Sequence, residues 1–206
     1  MSISLPITWR PVLDKIDGAD ADYLGSWAPK YDVLRRIERA SIRAFIEERR
    51  AVLCGSVLDF GAGEGPYRDL CAPESLYIPV NRGELIPNKP PTFDAILCTQ
   101  VLQYCEHPVL TLSALANVSH GGTYLLLTYP TSWPSLGWNE SEGSDLWRFT
   151  RDGMAALLDT AGWIPADHVE RAAVIVSGNR FSLGGGVVAK RKPKKLLPGV
   201  LPSLTL

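Results

Sequence analysis

The chain has 206 residues, of which 46% are hydrophobic and 21% are charged, and its formal net charge is −1. This composition is that of an ordinary soluble domain with one full hydrophobic core. The near-neutral charge gives no general attraction to nucleic acid, and no apolar stretch approaches the roughly 20 residues of a membrane span, so neither a nucleic-acid partner nor a membrane span is expected.

The cysteines and the N-terminal sequence predict a cytoplasmic protein. Cys54, Cys71, Cys98 and Cys105 show no CxxC spacing, which indicates neither a disulfide framework nor a metal site. Cys54 and Cys98 lie in or beside apolar runs, so we expect both in the core. The first residues, MSISLPITWRPVLDK, lack the charged-then-apolar pattern of a secretory leader.

An irregular N-terminal arm precedes the first predicted helix. Residues 1–28 carry Tyr23 and Trp27, which are expected either to close over a ligand or to pack on the core. Pro29 suits a first helical position, and apolar residues recur at helical spacing from there to about Arg50. We therefore assign residues 1–28 to an arm, 29–192 to one domain and 193–206 to a C-terminal tail. The basic run KRKPKK leads into this tail, and we expect it to be solvated.

Strands and helices alternate through the rest of the domain. Strands are predicted at Ser56–Phe60, Leu76–Val80, Phe93–Cys98, Thr123–Thr128, Ile164–Val176 and Gly186–Lys190, and helices at Pro108–Val118 and Thr150–Ala161. Gly121–Gly122 separates the first of these helices from the next strand. The first four strands are almost continuously apolar, which is typical of a parallel sheet covered on both faces. The last two are expected to form an antiparallel hairpin, so the sequence predicts a doubly wound α/β fold.

A glycine-rich loop directly follows the first strand. Within SVLDFGAGEG the glycines at 61, 63 and 65 form a GxGxG pattern. In doubly wound folds a ligand lies outside the carboxyl ends of the strands, and glycines let it approach the backbone closely. Asp59 would repel a pyrophosphate but attract a ligand with an ammonium or sulfonium group. The alternative is a tight strand-to-helix turn without a ligand.

Four segments resemble class I S-adenosylmethionine-dependent methyltransferases, in the order of that family. VLDFGAGEG resembles the first motif, FDAILCTQVLQYCEHP the fourth strand and its loop, and HGGTYLLLTYP the fifth strand; SDLWRFTRDGMAALLDTAGW resembles a segment of a bacterial small-molecule subgroup. The resemblance covers about residues 55–165. It implies a Rossmann-like methyltransferase fold and S-adenosylmethionine as cofactor. It also implies methyl transfer to an oxygen or nitrogen of a metabolite or saccharide.

The same resemblance implies a set of cofactor contacts. These are Asp59, Gly61, Ala62, Gly63, Asn81, Thr99, Gln100 and Val101. The glycine loop would line the amino-acid portion of the cofactor, and Asp59 would orient the loop or meet the amino group through water. The residues at the end of the fourth family strand would lie beside the methionine portion.

Three departures from the family pattern fall on this site. Asn81 stands where the family has an acid that accepts hydrogen bonds from the ribose hydroxyls, and an amide accepts them without charge assistance. Glu84 would supply a carboxylate instead if its loop folds back. The segment between Val80 and Phe93 is short and proline-rich, so the third family strand is expected to be missing or reduced to Glu84–Ile86. Gln103-Tyr104 replaces the family's Glu-His pair.

The acceptor is expected over the loops that follow the fourth and fifth family strands. Tyr129–Asp145 is a long loop with two tryptophans, which can cover a polar ring or pack on the domain edge. Asp145 can act as a general base, or it can pair with Arg148 and fix the loop. Candidate catalytic residues are Asp145, Arg148 and Tyr104, and the expected partner is a small-molecule substrate.

Two other functions stay open on the sequence. The three departures favour a catalytically inactive, methyltransferase-like binding module. An NADP-linked oxidoreductase would place Asn81-Arg82 beside a 2′-phosphate, but the GxGxG spacing, Asp59 and the lack of a Tyr-x-x-x-Lys pair argue against it. The apolar tail segment LLPGVLPSLTL can dock on the domain or on a second copy, as in a homodimer.

Overall fold

The computed structural model describes residues 33–87, 92–132, 138–139, 143–176 and 179–193. The helices are α1 (Val33–Glu47), α2 (Pro108–Asn117) and α3 (Arg151–Thr160). The strands are β1 (Ser56–Phe60), β2 (Leu76–Val80), β3 (Phe93–Thr99), β4 (Ser119–Pro130), β5 (Trp138–Asn139), β6 (Gly143–Ser144), β7 (Trp163–Val176) and β8 (Asn179–Arg191). The predicted N-terminal arm and nearly all of the predicted tail lie outside the described residues.

Six strands form one mixed sheet in the order β2-β1-β3-β4-β8-β7. β1 pairs in parallel with β2 and β3, and β3 pairs in parallel with β4. β8 is antiparallel to both β4 and β7. The predicted doubly wound fold with an antiparallel C-terminal hairpin is therefore confirmed. The direction of winding reverses between β1 and β3, which is where such folds place their ligands.

Helices cover both faces of the sheet, because its central strands are apolar on both sides. One face of the sheet, which includes Leu58 and Ile96, packs against Leu112 of α2 and Leu158 of α3. The other face packs against Phe45 and its neighbours on α1. The predicted helix cap is present, since Thr150 Oγ1 accepts a hydrogen bond from Gly153 N at the start of α3.

Two strands are longer than the sequence predicts. β4 begins at Ser119 and includes Gly121 and Gly122, which we had expected to separate helix from strand. The extra residues form an irregularity opposite Phe93, where Thr123 Oγ1 donates to Phe93 O. β8 begins at Asn179 instead of Gly186, so most of the predicted connection is strand.

Three consecutive glycines explain how β8 can pass through the densely packed half of the sheet. A Cβ atom at Gly184 would collide with the guanidinium of Arg171, and one at Gly185 would collide with the ring of Tyr129. At Gly186 it would lie 2.8 Å from the ring of Phe45. The glycines thus leave space for large side chains of the neighbouring elements, and this reason cannot be read from the strand's own sequence.

Arg171 of β7 is a fully buried cation at the interface of α1 and the sheet. Its Nε donates to Gly185 O at 2.9 Å, Nη1 to Ser41 Oγ at 3.0 Å and Nη2 to Tyr129 O at 3.3 Å. Burial lowers the pKa of Arg171 to about 10, and the nearby Glu38 carboxylate opposes this. The side chain therefore stays charged at neutral pH and ties α1 to β4 and β8.

β2 is an edge strand, and the described residues that follow it, 81–87, contain no further strand. Leu76 N donates to Gly55 O, and Val80 O accepts from Gly61 N, so these two residues direct their backbone groups toward β1. Pro79, next to Val80, occupies a position whose backbone nitrogen faces away from β1, and proline has no N–H.

Candidate functional site

The glycine loop leaves the end of β1 through residues with left-handed backbone angles. Gly61 has a φ of +78° and donates its N–H to Val80 O at 2.7 Å. A Cβ at Gly61 would collide with Val101, so the loop packs directly on the chain that leaves β3. Gly63 has a φ of +57°, and a Cβ there would meet no atom of the described residues within 4 Å. Space is therefore available beside the loop at Gly63, whereas Ala62 is buried.

Asp59 is a buried carboxyl group that is only half satisfied. Its side chain is fully inaccessible, and Oδ2 accepts a hydrogen bond from the Tyr77 hydroxyl at 2.5 Å. Oδ1 has no hydrogen-bond partner among the described residues. Burial raises the pKa of Asp59 to about 6, against the opposing effect of the Tyr77 bond. One oxygen at the end of β1 therefore lacks the donor that a buried carboxylate requires.

Tyr77 was not recognised as a site residue from the sequence, although strand register would have indicated it. Val57 is aligned with Tyr77 and Asp59 with Pro79. Side chains alternate along a strand, so Tyr77 and Asp59 lie on the same face of neighbouring strands.

Asn81, the predicted ribose contact, binds the glycine loop in the structure. Its Oδ1 accepts from Gly63 N at 2.7 Å, and its Nδ2 donates to Gly63 O at 3.4 Å. Glu84 folds back onto the same point, because Asn81 N donates to Glu84 Oε2 at 2.6 Å and Glu84 N donates to Asn81 O at 3.0 Å. The Glu84 carboxylate therefore reaches the end of β2, although Asn81, the residue at that point, has an amide side chain.

The end of β3 has an unusual backbone conformation. Thr99 is buried, and Gln100 follows it with a φ of +56°, in the left-handed region that non-glycine residues seldom adopt. Gln100 N donates to Thr128 O at 3.1 Å, and Gln100 O accepts from Gln103 Nε2 at 2.8 Å. Val101 then packs on Gly61. Val101 thus adjoins the glycine loop, and the contact of Thr99, Gln100 and Val101 with the methionine portion stays a prediction.

Gln103 is the second buried side chain at this edge with an unsatisfied oxygen. It lies in the short 3-10 turn after β3 and is 4% exposed. Its Oε1 has no partner within the described part of the chain. Sequence reasoning treated this position only as the loss of the family's Glu.

The candidate catalytic pair Asp145 and Arg148 forms a partly buried ion pair. Arg148 Nη1 and Nη2 donate to the two oxygens of Asp145, each at 2.6 Å, and the Asp145 side chain is only 1% exposed. The same segment is anchored by its backbone, since Leu146 N donates to Gln103 O at 2.7 Å. Tyr104, the third candidate, lies half-buried in the adjoining turn. This geometry matches the structural alternative for Asp145, in which Arg148 fixes the loop.

The acceptor-side loop is described in part. β5 and β6 form a short antiparallel pair, while the predicted contacts Trp133, Glu140 and Glu142 lie outside the described residues, as do Tyr23 and Trp27 of the arm. Arg82 touches Gly143, where a Cβ would collide with its guanidinium. The turn after β2 and the β5–β6 pair therefore meet.

The three histidines and the two cysteines predicted for the core differ in exposure. His107 and His120 are exposed, and Cys98 is buried. Cys54 is exposed, so its predicted core position is wrong: the apolar run ends at Leu53, whose side chain takes that place. His168 lies on β7 and shares a hydrogen bond with Tyr129.

The described residues offer neither a metal site nor a membrane-spanning helix. They contain no group of three or more His, Cys, Asp or Glu side chains that could hold a metal ion. None of the helices in that part of the chain combines the length and apolarity that a membrane span requires.

A cavity of about 250 Å³ lies elsewhere on the protein and has a structural explanation. Thr92, Ser119, His120 and Arg191 are among its lining residues. Arg191 donates to Ala116 O and Gly162 O, which places its charge on the carbonyls that end α2 and α3.

Comparison with known proteins identifies the fold. No family model matches the sequence, and no curated protein does so either. Among solved structures, an S-adenosylmethionine-dependent methyltransferase from Clostridium acetobutylicum is similar with a TM-score of 0.56 at 11% identity, covering 83% of this chain and 96% of that one. The 1,6-didemethyltoxoflavin-N1-methyltransferase of Burkholderia thailandensis, with bound 1,6-didemethyltoxoflavin and S-adenosylhomocysteine, has a TM-score of 0.53 at 19% identity, covering 93% and 92%.

A third structure has the same architecture. A methyltransferase from Aquifex aeolicus has a TM-score of 0.53 at 16% identity, and the match covers 78% of this chain and 98% of that one. At these identities the similarity establishes the fold alone. The chain therefore has the fold that its motifs predict.

Proposed function

We propose that this protein is an S-adenosylmethionine-dependent methyltransferase that acts on an oxygen or nitrogen of a small polar acceptor. One observation carries the proposal: the buried Asp59 has an oxygen to which none of the described residues donates, beside a glycine loop that those residues leave open at Gly63. Bound there, the cofactor would supply a methyl group on a sulfonium: the methyl carbon would bond to the acceptor atom as its bond to sulfur breaks, the electron pair would stay on sulfur, and the acceptor's proton would pass to solvent.

The residues present fit the amino-acid portion of this cofactor. Its α-ammonium group is a cationic donor, and Asp59 Oδ1 is a buried acceptor of opposite charge. A charge-assisted bond of this kind is stronger than one between neutral groups, and it stabilises the ionised carboxylate. Asp59 also has the raised pKa of a carboxyl group that lacks such a partner. Gly63 supplies backbone that a ligand can approach past the described residues, and Gly61 lets the loop pack directly on Val101.

At the ribose, we propose that Glu84 takes the role of the family's acid. Its carboxylate reaches the end of β2 and is exposed, whereas the Asn81 amide is engaged on both sides by Gly63. Asn81 then holds the glycine loop in its ligand-ready conformation instead of contacting the ribose itself.

On the acceptor side, we propose that Asp145 and Arg148 hold the segment 145–149 in position. Both oxygens of Asp145 accept from Arg148, so an incoming substrate would have to compete with an existing ion pair. Tyr104, in the turn that this segment contacts, is the remaining candidate for direct contact with the acceptor.

A catalytically inactive binding module is the second candidate, because a side chain that could act as base, Asp145, is held by Arg148. The two functions share the cofactor site and differ in turnover. Incubation with S-[methyl-³H]adenosylmethionine and extracts of small metabolites separates them: transfer of label to an extracted compound supports the enzyme, whereas binding of S-adenosylhomocysteine with no transfer supports the module.

The cofactor site is tested by calorimetric titration with two ligands. S-adenosylhomocysteine carries the amino-acid portion, and 5′-methylthioadenosine is the same nucleoside thioether without it. We expect Asp59→Asn to weaken S-adenosylhomocysteine binding about tenfold to hundredfold at pH 7 and to leave 5′-methylthioadenosine binding almost unchanged.

Three further measurements complete this test. Asp159→Asn, at an exposed aspartate of α3, should change neither affinity. In the wild type, S-adenosylhomocysteine affinity should fall about tenfold from pH 7 to pH 5 as Asp59 becomes protonated. Absence of any S-adenosylhomocysteine binding at millimolar concentration would remove the proposed function. Saturable micromolar binding of NADPH instead would favour the oxidoreductase.

A further inference from the structure

We infer that Gln103 is a substrate-selecting residue whose free Oε1 accepts a hydrogen bond from an N–H or O–H group at the methyl-transfer position. This inference rests on the proposed function and adds the class of acceptor. It begins from a buried oxygen that has no partner among the described residues, on a side chain that is 4% exposed.

The hydrogen bonds of Gln103 fix which end of its amide is free. Its terminal nitrogen lies 2.8 Å from Gln100 O and 3.4 Å from Gln100 Oε1, and both of these atoms are acceptors. An amide oxygen at that place would face two other oxygens, so the nitrogen must occupy it. The oxygen therefore points away from Gln100, and it is the end that lacks a partner.

Gln103 lies between the glycine loop and the acceptor-side segment 145–149. On one side, the chain that leads to it passes through Val101, which packs against Gly61 of the glycine loop. On the other side, its backbone oxygen accepts hydrogen bonds from Leu146 N and Trp147 N of the acceptor-side segment. The Gln103 side chain therefore lies between the proposed cofactor site and the proposed acceptor site, where methyl transfer would take place. This position is next to the reversal of strand order between β1 and β3.

The backbone before Gln103 is held in a strained conformation that supports this placement. Gln100 has a φ of +56°, and its conformation directs Gln100 O to the Gln103 amide. Gln100 is itself tied to β4, through Thr128 O and through Thr128 Oγ1 at 3.4 Å. Strained backbone persists where the surrounding structure enforces it, and it concentrates at functional sites.

The chemistry of a neutral carbonyl oxygen defines the acceptor. It can accept a hydrogen bond but cannot remove a proton, so Gln103 orients the acceptor group and does not act as a base. An amine, an amide N–H or a hydroxyl satisfies it, whereas a thioether or a carboxylate leaves it unpaired. We therefore expect protic nitrogen or oxygen acceptors, with selection against carboxylates.

Sinefungin tests this inference without knowledge of the natural acceptor. In this analogue of S-adenosylmethionine an amino group replaces the methyl group, so it places N–H donors at the transfer position. Its affinity is compared with that of S-adenosylhomocysteine, which has no group there. We expect the wild type to prefer sinefungin, and Gln103→Met to reduce that preference about tenfold with little change for S-adenosylhomocysteine.

A matched pair of variants separates ligand contact from structural support. Gln103→Met and Gln103→Glu both lose the donor to Gln100 O, but only Gln103→Glu keeps an acceptor oxygen. We expect Gln103→Glu to retain the preference for sinefungin, and this variant also carries the test if Gln103→Met fails to fold. An equal sinefungin preference in the wild type and in both variants would overturn the inference and assign the oxygen to a buried water. Failure of the wild type to bind either compound would instead overturn the proposed function.

Discussion

The two halves of the sheet bury polar side chains in opposite ways. In the antiparallel half, Arg171 directs Nε, Nη1 and Nη2 to three separate oxygen acceptors. In the parallel half, Asp59 and Gln103 each retain an oxygen for which the described residues provide no donor. A buried polar group that is fully paired stabilises the fold, whereas one left unpaired is destabilising unless a ligand or water completes it. The contrast separates the part of the molecule that supports the fold from the part that we propose binds the cofactor.

Replacement of Arg171 should have the largest effect and should be confined to stability. Arg171→Met keeps much of the volume but removes the hydrogen bonds to Gly185 O, Ser41 Oγ and Tyr129 O. We expect the free energy of unfolding to fall by about 3 kcal/mol or more, because several buried acceptors lose their donor. Urea unfolding measures this loss.

A control variant and a binding measurement show whether the Arg171 effect is specific. Ile164→Met changes an exposed residue of the same strand and should leave unfolding almost unaltered. Folded Arg171→Met protein should still bind S-adenosylhomocysteine. A selective loss of that affinity would contradict the division into a supporting and a binding half.

Replacement of Asp59 should stabilise the protein, by an amount that depends on pH. The folded-state pKa of Asp59, about 6, lies above the ordinary aspartate pKa of 3.8, because the carboxyl group is buried. Its contribution to stability is therefore fully present below about pH 4 and is lost as pH rises through 6. The free energy of unfolding of Asp59→Asn, relative to that of the wild type, should therefore rise by on the order of 2 kcal/mol between pH 4 and pH 7.

Paired unfolding curves across this pH range test the prediction for Asp59. The comparison of wild type and variant cancels the titration of all other groups. A difference that stays constant from pH 4 to pH 7 would mean that Asp59 is ionised throughout. The pairing of greater stability with weaker S-adenosylhomocysteine binding is the result expected of a residue kept for function.

Replacement of Asn81 should have the smallest effect. Asn81→Ala removes two exposed hydrogen bonds to Gly63, so we expect the glycine loop to loosen and binding to weaken about threefold. S-adenosylhomocysteine and 5′-methylthioadenosine should be affected equally, because the loop conformation precedes any contact with the amino-acid portion. Asn117→Ala, at the end of α2, is the control. Tighter binding in Asn81→Ala would show that the amide blocks the site.

The sequence predicted the parallel half of the fold well because its signals are local. β1 and β2 have the predicted bounds, Ser56–Phe60 and Leu76–Val80, since each is an apolar run limited by turn residues. β8 was predicted too short because Gly184–Gly186 disfavour a strand locally. Their use depends on Tyr129, Arg171 and Phe45, which are distant in sequence and meet them only in the folded chain.

The same distinction applies to the candidate site. The glycine loop and Asp59 were recognised because their order along the chain carries the information. Gln103 was not, since an unpaired oxygen is a property of three-dimensional surroundings. Gly63, which the Asn81 amide binds, lies 18 positions away in the sequence. The spacing of the two residues does not predict that this amide contacts the glycine loop instead of a ligand.

Pro79 has a consequence for how the protein behaves in concentrated solution. An exposed edge strand offers unpaired backbone groups on which another chain can build, and this is a common route to aggregation. Of the two residues of β2 whose nitrogens face outward, Tyr77 has an N–H and Pro79 does not. The edge of the sheet at β2 is therefore a poor template for intermolecular β-pairing, although residues 81–87, the described residues that follow β2, add no strand beyond it.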